Sequence, residues 1–137
     1  MSSVDAFIGH WKFVKADNFD EFMKVIGVGL IIRKLAAHMQ PTIEVYSDGE
    51  TWHINQYSTF KNTKLSFKLG EEFVEISPDD RTFNSVVTVE DGKLVHRQNK
   101  IKEQDKSSVF TSEVVNGRMF QTLQCGDVIC RREFVKV

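Results

Sequence analysis

Ser112, Gln121 and Arg132 are the residues of this chain best placed to recognise a ligand. Their grouping follows from two turn signals. If Asn116-Gly117 and Gly126-Asp127 are two-residue hairpin loops, Val114 pairs with Met119, Ser112 with Gln121 and Phe110 with Leu123. Across the next hairpin Leu123 pairs with Cys130, Gln121 with Arg132 and Met119 with Phe134. Directly paired residues share a face of the sheet. One face therefore carries Phe110, Val114, Met119, Leu123, Cys130 and Phe134, crossed by the polar row of Ser112, Gln121 and Arg132. The other carries Thr111, Glu113, Gln124, Arg131 and Glu133. The first reads as interior. A guanidinium there is costly unless it is paired. Three readings are open: a structural partner such as an inward Glu75 or ordered water, a register slipped by one so that Arg131 is inside, or an anion hook for a ligand with a carboxylate head and an apolar tail. The planar fork of arginine suits the last. Three adjacent polar positions are uncommon in a dry core and favour a pocket.

The remaining reactive side chains form no catalytic or metal-binding pattern. His10, His38, His53 and His96 lie far apart without ligand spacing, and read as surface or second-layer residues. Cys125 and Cys130 flank a turn that pairs them with Val128 and Leu123, so they do not face each other and no disulfide is expected. Cys130 points inward with no base nearby. GxSxG, Walker A and GxGxxG motifs are absent. Asp79-Asp80-Arg81 reads as a turn with a local ion pair. The expectation is a non-enzyme with no catalytic residue, metal or cofactor.

The elements that position these residues are mostly strands. Gly9-His10-Trp11-Lys12-Phe13 reads as a short strand carrying a tryptophan. Asn18 reads as an N-cap with Glu21 as its capping-box partner. Phe19, Phe22, Met23 and Ile26 then recur at helical spacing. Gly27 is a C′ stop. A second short helix follows with Ile31, Ile32, Leu35, Ala36 and Met39 as its apolar residues, closed by Pro41. From Thr42 onward, turn signals at Asp48-Gly49, Lys61-Asn62, Gly70, Asp79-Asp80, Asp91-Gly92, Asn116-Gly117 and Gly126-Asp127 separate β-rich runs. No further helix is expected, and the charged stretch from Lys100 to Lys106 reads as a long hairpin loop. An all-β barrel with a helical lid between its first and second strands is the predicted architecture.

The 137 residues suffice for one domain spanning 1–137 with a substantial core. A net charge of −1 points to neither nucleic acid nor a strongly anionic partner. The helix pair has an apolar Phe and Met load and lacks the basic face of a DNA-reading helix. Eleven Phe stand against two Trp and two Tyr, apolar surface without polar tips, able to fill a core or line a greasy cavity. Ser2-Ser3-Val4-Asp5 is polar rather than an apolar leader, no stretch approaches transmembrane length, and the cysteines are few. A reduced, cytosolic protein is expected.

The chain resembles the intracellular lipid-binding proteins, the cytosolic fatty-acid- and retinoid-binding family, over essentially its full length. The matching residues are Gly9-x-Trp11-x-Phe13, Asn18-Phe19-Asp20-x-Phe22-Met23, Gly27-Val28-Gly29, Ser58-Thr59-Phe60-Lys61-Asn62, Ser66 through Phe73, Asp79-Asp80-Arg81, Gly92 through His96 and Val128 through Arg132. It is most similar to the heart/muscle, adipocyte and myelin subgroup. The resemblance implies a ten-stranded antiparallel up-and-down β-barrel with a two-helix lid, and a lipid held in a partly hydrated cavity. It also implies a carboxylate clamp of two arginines and a tyrosine on the last strands. Here Arg132 matches the second arginine, while Ser112 and Phe134 stand at the other two positions. Tight carboxylate binding is thereby put in question, with Gln121 as partial compensation.

Three functions follow as expectations. The first is a monomeric carrier of a long-chain fatty acid, with Arg132, Ser112 and Gln121 at the head group. Phe19, Met23, Ile32, Phe60, Leu123 and Phe134 would contact the tail, and Asp79 and Met119 are further ligand-contact candidates. The second is a carrier of a retinoid or other neutral-headed lipid, which Ser and Gln suit better. The third is a module whose ligand controls nuclear delivery to a receptor, with Lys24, Arg33 and Lys34 as a basic cluster on the lid. That cluster equally suits transient contact with anionic membranes.

Overall fold

The computed structural model describes residues 3–137. A 3₁₀ turn over Ser3–Phe7 leads into β1 (Gly9–Asp17), which is followed by α1 (Phe19–Val25) and α2 (Leu30–Ala36). The chain then runs through β2 (Thr42–Ser47), β3 (Thr51–Tyr57), β4 (Thr63–Lys68) and β5 (Phe73–Ile76). It ends with β6 (Thr82–Glu90), β7 (Lys93–Lys100), β8 (Ser108–Val115), β9 (Arg118–Cys125) and β10 (Val128–Lys136). Among the described residues these ten strands form one sheet in the order β4-β3-β2-β1-β10-β9-β8-β7-β6-β5, with every paired neighbour antiparallel. The pairing of β1 with β10 nearly closes the barrel and leaves a single unbonded seam between β4 and β5.

The registers computed from the two C-terminal hairpins hold at every position. Ser112 pairs with Gln121 and Gln121 with Arg132, while Phe110, Leu123 and Cys130 form the adjacent row. The Asn116-Gly117 turn explains why. Both residues have positive φ, 51° and 76°, as the tightest two-residue hairpin requires. Arg132 is inward and Arg131 exposed, so the slipped register is ruled out. Cys125 and Cys130 are both free thiols, on pairs that do not face each other.

The main core draws on the 3₁₀ turn and eight strands, with none of its buried members from the helices. It centres on Phe7, Trp11, Ile43, Val45, Trp52, Phe67, Met119 and Phe134. Trp11 is fully buried, and its indole N–H donates to Phe7 O at 2.9 Å, which ties the 3₁₀ turn to β1. That turn is an element the strand-and-turn reading missed. A second cluster of Phe22, Leu123, Cys125 and Cys130 lies beneath α1.

The helices differ from expectation in three respects. Asn18 does precede α1, but in the left-handed region (φ 67°, ψ 25°) and without a side-chain cap; its amide donates to Ile129 O instead. The capping box with Glu21 does not form, because that backbone aims the amide at the start of β10. Only one side of α2 is covered. Ala36 is buried, whereas Leu30, Ile31 and Leu35 are 56, 77 and 52 % exposed. Arg33 is not a solvent-facing cation. It bonds Asp20 on α1 at 3.1 Å and Val28 O at 2.8 Å. The stop at Gly27 is as expected. Its φ of 90° closes a Schellman motif, with Val28 N donating to Met23 O and Gly27 N to Lys24 O.

Candidate functional site

Inside the barrel, under the helices, lies a cavity of ≈ 900 Å³. Nine of the eleven sequence-derived ligand residues line it: Phe19, Met23, Ile32, Phe60, Asp79, Ser112, Gln121, Leu123 and Arg132. Phe134 and Met119 do not. Both belong to the packed core below, 0 and 2 % exposed. They share the inward face with Arg132, but the wall there is already filled by their neighbours. Phe134 acts on the site through Arg132 instead, its ring centroid 5.1 Å from the guanidinium.

Arg132 is the centre of the head-group end. It is buried, and its fork lies between Phe134 below and the Phe19 ring of α1, whose centroid is 5.6 Å away. One terminal nitrogen donates to Gln56 Oε1 at 3.2 Å. Its Nε is buried without a hydrogen-bond partner. Burial pushes this guanidinium down to about 10. Glu75 is inward but does not compensate it, and no carboxylate among the described residues bridges to Arg132. A buried cation flanked by aromatic faces and neutral amides is a receptor for an anion. Gln121 and Ser112 extend the row along the wall, their side chains without a hydrogen-bond partner among the described residues.

A second polar group on the cavity wall joins Glu75, which the sequence reading places inward as a candidate partner for Arg132, to His96, which it leaves outside. Glu75 Oε1 accepts from Ser85 Oγ at 2.8 Å and lies 2.7 Å from His96 Nε2, while Oε2 accepts from Gln98 at 3.2 Å. Burial alone would push the Glu75 carboxyl up. The His96 bond and charge, with Ser85 and Gln98, outweigh it and hold the group below its usual 4.5. His96 is therefore a half-buried residue of the cavity wall and not a surface or second-layer one. The Asp91-Gly92 turn carries the signal that would have found it. A two-residue loop there pairs Val87 with His96 and Ser85 with Gln98, on the face marked as interior by the buried Leu94.

The rim is held by ion pairs. Arg81 donates to Ile26 O at the end of α1 (2.6 Å), to Asp79 (3.0 Å) and to Asp105 in the β7–β8 loop (3.3 Å). Asp79 lines the cavity, yet its oxygens are occupied by Ser77 and Arg81. Lys61 spans from the β3–β4 turn to Pro78 O and Asp80. Elsewhere, Asp48, His53 and Ser66 form a hydrogen-bonded chain outside the cavity.

Comparison with known proteins agrees with this geometry. Residues 8–137 match the model of the lipocalin / cytosolic fatty-acid binding protein family. The chain is 67 % identical over 134 residues to fatty acid-binding protein homolog 7 of Caenorhabditis elegans, covering 98 % of each. It is 59 % identical to homolog 8 of the same organism, covering 99 % of each. The crystal structure of apo lipid binding protein 8 from C. elegans superposes with a TM-score of 0.97 at 58 % identity, over 100 % of this chain and 99 % of that one. A Schistosoma mansoni fatty acid binding protein, solved in complex with arachidonic acid, superposes with a TM-score of 0.92 at 33 % identity over 99 % of each.

Proposed function

The chain belongs to the lipocalin / cytosolic fatty-acid binding protein family, a family of binding proteins rather than enzymes, and from that premise we propose that it is a cytosolic carrier of a long-chain fatty acid. The observation that carries this reading is Arg132: a buried guanidinium on a cavity wall with no anionic partner among the described residues. The carboxylate would sit at Arg132 with Gln56, Gln121 and Ser112, and the tail along Phe19, Met23, Ile32, Phe60 and Leu123. Burying methylenes drives binding at about 0.8 kcal/mol each. The arachidonic acid in the S. mansoni relative supports the ligand class.

A neutral-headed lipid such as a retinoid is the second reading, favoured by the two uncharged residues beside Arg132. Displacement of a fluorescent fatty acid by oleate and by retinol separates them. Preferential displacement by oleate is expected, and preferential displacement by retinol would overturn the fatty-acid reading. Delivery proceeds through transient contact with anionic membranes, supported by exposed Leu30, Ile31 and Leu35 beside Lys34 on α2. The nuclear-delivery reading loses support, because Arg33 is engaged within the lid. Transfer to anionic vesicles that slows with added salt would match the membrane reading; salt-independent transfer would contradict it.

A further inference from the structure

We infer that the cavity holds a second recognition site, at His96, for a hydroxyl carried well down the lipid chain, so that the preferred cargo is a hydroxylated long-chain fatty acid. The inference rests on the carrier reading above and deepens it. Glu75 sets the chemistry. Its carboxylate is already engaged by Ser85, Gln98 and the Nε2 of His96. A carboxylate can only accept, so the Nε2 edge of the imidazole carries a proton, and the ring atom left to a ligand is Nδ1. It has no protein hydrogen bond and is not among the sealed, unpartnered atoms of the interior. The ring is braced edge-on against Phe110 at 5.1 Å, on the cavity wall. A ring nitrogen fixed in an apolar cavity suits a hydroxyl, which can donate to it or accept from it.

The sheet sets where on the lipid that hydroxyl must lie. His96 on β7 is opposite Phe110 on β8, which is opposite Leu123 on β9 and then Cys130 on β10, two residues from Arg132. Three strand spacings separate the two sites, about 14 Å along the wall. A hydroxyl next to the carboxylate does not reach His96 when Arg132 holds the acid.

The test is displacement of a fluorescent fatty acid by oleate and by ricinoleate, which differ by one mid-chain hydroxyl. The wild-type protein should bind ricinoleate at least as tightly as oleate. A neutral hydrogen bond corresponds to roughly a three- to tenfold effect. His96→Phe, made together with Glu75→Gln so that no carboxylate is stranded, should lower the ratio of ricinoleate to oleate affinity by that much. If wild type and the double variant show the same ratio of ricinoleate to oleate affinity, the His96 site is overturned while the carrier reading stands. If neither lipid displaces the fluorophore from wild type, both fall.

Discussion

Arg132 trades stability for recognition. Without a ligand it is a buried charge whose Nε has no partner and whose affinity for its proton is depressed to about 10. Replacing even a paired buried ion and its partner by apolar side chains of similar size is often neutral or stabilising, by up to about 4 kcal/mol, and an uncompensated one costs more to keep. Arg132→Met is therefore expected to raise the Tm of the lipid-free protein, read by calorimetry. The same change should weaken fatty-acid binding by roughly ten- to a hundredfold, since a charge-assisted hydrogen bond contributes about 1.5–3 kcal/mol. The matching fatty alcohol should be nearly unaffected. A variant that loses stability and keeps its acid affinity would show that the guanidinium serves the fold and not the ligand. Glu75 has the opposite sign. Its carboxyl is held below the usual 4.5 in the folded state, so its stabilising contribution is present above about pH 4.5 and is lost as the pH falls through the lower, folded value. Glu75→Gln should flatten the acid limb of a stability–pH curve between neutrality and pH 3, measured by urea unfolding.

At the scale of elements, the strands were legible and the helix ends were not. Hairpin registers could be computed because Asn116-Gly117 and Gly126-Asp127 admit few geometries and an alternating pattern permits no slip of one residue. The same treatment of Asp91-Gly92 would have put His96, Gln98 and Ser85 on the inward face with Glu75. The ends of α1 were harder. Asn18 is chemically suited to a side-chain cap, but tertiary structure supplied a better acceptor for its amide, at Ile129. The role of Arg81 is illegible in the sequence, since Ile26 and Asp105 lie 55 and 24 residues away. Phe134 and Met119 show the limit of facing arguments: pairing fixes which side of the sheet a residue is on, not whether space remains beside it. Arg81 carries a prediction of its own. It fastens the end of α1 to two loops at the rim, so it should govern how fast the lid parts more than how tightly lipid is held. Arg81→Gln is expected to raise both association and dissociation rates in stopped-flow measurements, with the equilibrium constant changed less than either rate. A change confined to dissociation would place Arg81 on the ligand rather than on the lid.

The whole molecule divides into a rigid and a labile part, and that division gives a closed cavity its entrance. Every strand except β4 and β5 at the seam is bonded on both sides, and eight of the ten strands, β4 among them, supply buried members of the main core. The helices have no such support. α1 is anchored by Phe22 and Met23 above Leu123, Cys125 and Cys130. α2 buries only Ala36 among its own residues while Leu30, Ile31 and Leu35 stay exposed. Each helix spans seven residues, far below the length that is stable alone in water, so its stability comes from packing. Local opening free energies follow buried contact. Hydrogen exchange on the lipid-free protein should therefore rank α2 least protected, α1 intermediate, and β8 to β10 most protected. A lipid that touches Ile32, Phe19 and Met23 binds the closed state, and linkage stabilises whatever it closes. Saturation with oleate should then slow exchange most in α2, less in α1 and least in the C-terminal strands. Equal protection across lid and barrel without lipid, or a ligand effect centred on the strands, would mean that lipid enters elsewhere, with the unbonded seam between β4 and β5 the next place to look.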